Sequence, residues 1–200
     1  MTQNPWDERY SASDYFYGKE PNDFLREQIG RLPAGGKVLC LAEGEGRNAV
    51  YLAREGFQVT AVDGSRVGLQ KLEALAKDSG VSVTTICADL AEFEIQPGSW
   101  DSIIAIWCHL PSALRRKVHA ASVQGLRKGG VFLLEAYRPE QLKYGTGGPK
   151  DLNFLMNLEI LRPELSGLKL DVQVEQDREI HEGKGHQGPS AVVQVLGFKG

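Results

Sequence analysis

Val38 to Ala53 reads VLCLAEGEGRNAVYLA, Val59 to Ser65 reads VTAVDGS, and these two stretches decide the fold. The first is an apolar strand stopping at Ala42, a turn Glu43-Gly44-Glu45-Gly46, and a helix that begins at Arg47. Glycines in such a turn let a ligand approach the main chain, and the helix that follows aims its free N–H groups at that ligand. The second stretch is a strand that delivers Asp63 19 residues beyond Gly44. That is about the spacing at which an acid on the tip of the neighbouring strand meets the hydroxyls of a ribose. Together the two stretches imply an adenosine-containing cofactor.

Working outward, strand and helix alternate. Pro21 opens a helix carrying Phe24, Leu25, Ile29 and Leu32, which Gly35-Gly36 breaks. Strands are expected over Lys37 to Ala42, Phe57 to Val62, Val81 to Cys87, Trp100 to Trp107 and Val131 to Ala136, the last entered through a turn at Gly129-Gly130. Helices are expected over Arg47 to Glu55, from a Ser65 cap to about Gly80, and over Ser112 to Leu126. After a Pro/Gly-rich loop from Arg138 to Lys150 comes a short helix through Leu155 and Leu158. Leu168 to Asp177 and Ala191 to Phe198 then alternate as two strands around EGKGHQG. The pattern specifies an α/β fold: a doubly wound, mostly parallel seven-stranded sheet, helices on both faces, and a C-terminal antiparallel hairpin, Rossmann-like in build.

At 200 residues with 42% hydrophobic content, one such domain over residues 21–200 is expected, preceded by a lid segment over residues 1–20 that carries Trp6, Tyr10, Tyr15, Phe16 and Tyr17. The net charge of −3 and the lack of a Lys/Arg run argue against nucleic acid or an anionic membrane as partner and for a small molecule. Cys40, Cys87 and Cys108 are odd in number, lack CxxC spacing and sit in or beside apolar runs, so reduced, buried thiols and a cytoplasmic location are expected. Neither an export signal nor a run of membrane-spanning length is evident. Oligomeric state is not readable.

Gly44-x-Gly46-x-x-Ala49 also satisfies a dinucleotide fingerprint, so an NAD(P)-dependent oxidoreductase is one reading. The terminal hairpin, in place of a sixth parallel strand, favours S-adenosylmethionine instead. On VLCLAEGEGRN, VDGS, ADLAEF, WDSIIAIWCHLP and LRKGGVFLLEAY, five matches in order, the chain resembles class I S-adenosylmethionine-dependent methyltransferases over Pro21 to Gly200, most closely the small bacterial tellurite-resistance and thiopurine-type group. A non-catalytic protein that binds S-adenosylmethionine is the remaining alternative, because the customary first acid and first glycine of the turn are Cys40 and Ala42 here.

The resemblance implies S-adenosylmethionine as cofactor and S-adenosylhomocysteine as product. It assigns Gly44, Gly46 and Gly64 to the cofactor turns, Asp63 to the ribose, and Asp89 with the Leu90 backbone to the adenine. Glu43 is expected to supply the missing carboxylate near the methionine amino group. Arg47 either faces the methionine carboxylate or is a solvated helix residue. Tyr10 and Tyr17 close over the site beside the sulfonium, Tyr10 toward substrate and Tyr17 toward cofactor, or else simply pack the N-terminal segment. His109 orients or deprotonates a nucleophile, or caps the next helix. Tyr137 and Arg138, ending the fifth strand, and His186, in the hairpin turn, are substrate-pocket candidates. His181 and His186 have no third ligand, so no metal is expected. In-line transfer to an anionic acceptor needs no base, whereas an alcohol or amine would use His109 or a tyrosine.

Overall fold

The computed structural model describes residues 4–200. Helix α1 (Pro5–Tyr10) and helix α2 (Asp23–Gln28) precede strand β1 (Lys37–Leu41), α3 (Arg47–Arg54), β2 (Gln58–Asp63), α4 (Arg66–Asp78) and β3 (Thr84–Cys87). Then come β4 (Trp100–Ile106), α5 (Ser112–Gly125), β5 (Leu126–Tyr137), α6 (Leu158–Glu164), β6 (Leu168–Glu182) and β7 (His186–Lys199). The strands form one sheet in the order β3-β2-β1-β4-β5-β7-β6, parallel throughout except where β7 pairs antiparallel with β5 and β6.

The period of two along β1 shows why helices cover both faces. Val38 and Cys40 pack with Leu52 of α3, Leu72 of α4 and Phe24 of α2, whereas Leu39 and Leu41 pack with Val118 of α5 and Leu161 of α6. All four strand residues are buried, which is why the run is continuously apolar. Each such side chain contributes roughly 1.5–3 kcal/mol of burial. Strand β6 lies on the sheet edge, and its outward charges, such as Lys169, Asp171 and Glu175, discourage further strand pairing.

Boundaries shift where local chemistry intervenes. Asn22 caps α2 by accepting from the Leu25 N–H at 3.0 Å, so the helix starts after Pro21 rather than at it. Gly129-Gly130 does not turn the chain into β5: the strand begins at Leu126 and bulges, with Trp100 facing Leu126 and Ser102 facing Val131. The hairpin is longer than its alternation suggested and turns within Gly183–Gly185, which places His186 on β7. Cys40 and Cys108 are buried, but Cys87 is exposed at the end of β3, contrary to expectation.

The sheet's order reverses between β1 and β4, and strands diverging there open a crevice at their C-terminal ends. Both strands leave that crevice through a strained residue. Ala42 has φ +51° and Trp107 φ +56°, left-handed conformations that side-chain-bearing residues rarely adopt.

Candidate functional site

A cavity of about 910 Å³ occupies this crevice, roofed by α1, the segment around Phe16 and Tyr17, and the loop at Gly145–Pro149. Four carboxylates line its cofactor side: Glu43 and Glu45 after β1, Asp63 at the tip of β2 and Asp89 after β3. Asp63 accepts from the Gly44 N–H at 2.8 Å and the Ser65 N–H at 2.7 Å, which fixes it against the glycine turn. Burial raises its pKa, and the two backbone donors oppose that rise. Asp89 is exposed and caps the turn that follows by accepting from the Ala91 N–H, with Leu90 beside it on the cavity wall.

Glu43 bends back to accept from the Ala49 N–H at 2.7 Å, so its carboxylate serves the N-terminus of α3. Burial beside Cys40 and Val62 lifts its pKa to about 7, against the pull of the Ala49 amide and Arg47. Glu45 accepts from the N–H groups of Phe16 and Tyr17 and pairs with Lys71, which ties the N-terminal segment to the turn. Gly46, at φ +91°, lets α4 approach, since a Cβ there would stand 2.2 Å from Leu72 Cγ.

Gly44 is not on the cavity wall. Its left-handed φ shapes the turn, but Tyr10 lies against it: a Cβ at Gly44 would meet the tyrosine oxygen at 2.6 Å. Both tyrosines line the cavity: Tyr10 covers the glycine turn and Gly68 of α4, while Tyr17 tilts against the His186 ring with centroids 4.7 Å apart. Gly64 lies under Asn4 at the edge of the same roof.

Arg47 faces neither solvent nor a vacant anion site. Its guanidinium pairs with Glu182 of the hairpin at 2.6 Å and donates to the Glu20 carbonyl, because Glu182 is buried and takes the nearest cation. Trp107 Nε1 donates to the same Glu182 oxygen at 2.7 Å, and Asn22 Nδ2 donates to the other at 2.8 Å. Burial pushes the Glu182 carboxyl up, but His186 and Arg47 outweigh it and hold it well below the ordinary range. Behind it, Glu135 is held by Arg178, Gln194 and Asn22, so a buried polar network joins the hairpin to β5 and α2.

His109 lines the cavity but has no nitrogen to offer. Nε2 accepts from the Tyr137 N–H at 2.9 Å and Nδ1 lies 3.1 Å from the Trp107 carbonyl, so the ring is neutral and pins the ends of β4 and β5 together. Burial lowers its pKa to about 3. The expected role as base is corrected accordingly. Tyr137 is fully buried under Gly147 and Gly148, whose missing side chains let the loop rest on its ring, and so does not reach the cavity. Arg138 turns outward to Asp177 and Glu140. Trp107, Glu45 and Glu182 were not singled out from sequence, although a large residue in left-handed strain at a strand tip marks a constrained site once φ is known. Among the described residues, no group of three His, Cys, Asp or Glu is arranged to hold a metal.

The lining fits S-adenosylmethionine in kind: carboxylates stand at the tips of three adjacent strands, where they can accept from ammonium and hydroxyl groups, and two tyrosines roof the cavity. Residues 38–130 match the family described as a methyltransferase domain. With the sheet order and the glycine turn, residues 38–130 thus carry a methyltransferase domain, and the chain has the fold of class I S-adenosylmethionine-dependent methyltransferases. Its cofactor is S-adenosylmethionine and its product S-adenosylhomocysteine.

Solved structures share the fold. TehB from Haemophilus influenzae is 18% identical with a TM-score of 0.73, over 98% of this chain and 66% of that one. An S-adenosylmethionine-dependent methyltransferase from Clostridium acetobutylicum is 18% identical with a TM-score of 0.67, over 98% and 96%. A structure described for the conversion of a disulfide bond into a thioacetal group during echinomycin biosynthesis is 15% identical with a TM-score of 0.76, over 96% and 87%. No curated protein matches the chain.

Proposed function

We propose that the chain methylates a small-molecule acceptor, within a single domain over residues 21–200 that residues 1–20 close as a lid, in the cytoplasm. The observation that carries this reading is the cavity itself: at about 910 Å³ and roofed by the chain's own N-terminal segment, it has the size of small-molecule pockets. Among the described residues no helix is long and apolar enough to cross a membrane. One structural neighbour is described through the conversion of a disulfide bond into a thioacetal group, which favours a soft acceptor atom such as sulfur.

In this reading Asp63 holds the ribose hydroxyls, Glu43 and Glu45 face the ammonium group, and Asp89 with Leu90 frames the adenine. The bound cofactor supplies an electrophilic methyl carbon. The protein's part is to hold the acceptor in line and to exclude water, for which Tyr17, Trp107 and the glycine loop at Gly145–Gly148 are placed. The test is transfer of labelled methyl from S-adenosylmethionine to a panel of thiols, amines, carboxylates and metalloid oxyanions. Labelling of at least one small acceptor is expected. Labelling only of added protein or nucleic acid would overturn the reading.

A further inference from the structure

Two histidine rings line the cavity, and they differ in one respect that chemistry can use. His109 spends both nitrogens on main chain. His186 makes one contact, Nδ1 at 3.4 Å from Glu182 Oε2, and its Nε2 has no hydrogen-bond partner among the described residues. The ring is 5% exposed and lines the cavity, held between Tyr17 and Trp107 with centroids 4.7 and 4.6 Å away. Glu182 cannot swing away, since Arg47, Trp107 and Asn22 all donate to it. A carboxylate on Nδ1 holds the proton there and leaves Nε2 as the basic atom.

We propose that His186 is the catalytic base of this methyl transfer, taking a proton at Nε2 from an acceptor that arrives as a thiol, and that Glu182 is the residue that positions it. The inference rests on the methyltransferase reading above. A thiol is the class that fits a neutral imidazole: its pKa of about 8.5 makes it the more easily deprotonated acceptor, whereas an aliphatic alcohol holds its proton too tightly and a carboxylate brings none. The S–H bond breaks and the proton passes to Nε2. The electron pair left on sulfur forms the new S–C bond as the methyl's bond to the cofactor sulfur breaks. The imidazolium is balanced by Glu182 and then loses its proton to water. Burial holds the ring's pKa below the ordinary imidazole value, with Arg47 on α3 and Arg9 on α1 acting the same way and Glu182 on β6 opposing them, while Tyr17, Tyr137 and His109 complete its surroundings.

Two measurements test this. Nitrogen-15 spectra of histidine-labelled, cofactor-free protein, with His186 assigned through His186→Gln, are expected to show the Nδ1–H tautomer, and Glu182→Gln is expected to weaken that preference. An Nε2–H tautomer would overturn the proposal. Methyl transfer is then compared between an alkyl thiol and an aryl thiol that is already ionised at neutral pH. His186→Gln should lower kcat/KM for the alkyl thiol by about 100-fold, erase the acid limb of its pH profile, and lower the rate for the ionised thiol by only ~3-fold. Calorimetric affinity for S-adenosylhomocysteine should stay within about 2-fold, which reports that the variant is folded. Equal losses for both thiols, or none, would overturn the proposal. If another acceptor class is labelled and no thiol is, the inference fails and the reading under Proposed function stands; if neither binding of S-adenosylhomocysteine nor any labelling occurs, that reading fails first.

Discussion

Glu43 shows how one residue rearranges a site. With Cys40 where an acid is customary, the nearest carboxylate folds back onto the Ala49 N–H and is buried there, at a pKa of about 7. The sign follows from proton binding: between about pH 4.5 and pH 7 the folded state keeps the proton that the unfolded state has lost, so stability from this group is present below that window and falls as pH rises through it. Glu43→Gln should therefore gain stability on wild type as pH rises from 5 to 8, by at most about 3 kcal/mol, measured by urea midpoints at each pH. A ligand ammonium beside Glu43 favours the ionised form, so wild-type affinity for S-adenosylhomocysteine should rise over the same range while that of the Gln variant stays flat. An affinity independent of pH in wild type would remove Glu43 from the ammonium site.

Among the elements, the apolar periods were legible and the long-range contacts were not. The six-residue run into Asp63 and the Ser65 cap, which accepts from the Gly68 N–H, could be read directly because strand period and capping are local chemistry. Glu182 meets Arg47 across 135 residues of sequence, and no spacing rule reports such a pair. His109 was a reasonable candidate from its place after β4, yet its main-chain partners depend on how β4 and β5 end, which only the fold reveals. Gly46 is an intermediate case: a glycine was plainly required, but the reason is α4 rather than the ligand alone. Gly46→Ala should cost about 2–4 kcal/mol through both φ and the clash with Leu72, and Leu72→Ala should cost 2–5 kcal/mol as a buried truncation. In the double variant the costs should fall short of their sum by 1 kcal/mol or more, read from denaturant midpoints. Strict additivity would show that the two do not meet.

For the whole molecule, the N-terminal segment is a strap between the two halves of the site. Asp7 accepts from the N–H of Val67 and the Ser65 hydroxyl at the start of α4, Phe16 and Tyr17 hold Glu45, and the Phe16 carbonyl accepts from Lys184 N at 2.7 Å. Gly183 and Gly185 lack side chains where Phe16 and Tyr17 press on the hairpin. Removing residues 1–20 should lower affinity for S-adenosylhomocysteine by at least ~10-fold while leaving a cooperative melt, because the sheet keeps its two apolar layers. Unchanged affinity would mean that the strap does not roof the cofactor.

The account depends most on the carboxylate at the tip of β2 reaching the nucleoside. Calorimetric titration of S-adenosylhomocysteine into wild type and Asp63→Ala tests this directly. Micromolar binding by wild type and a loss of at least ~100-fold in the variant are predicted, the scale of two charge-assisted hydrogen bonds. Equal affinity for the two proteins would contradict it.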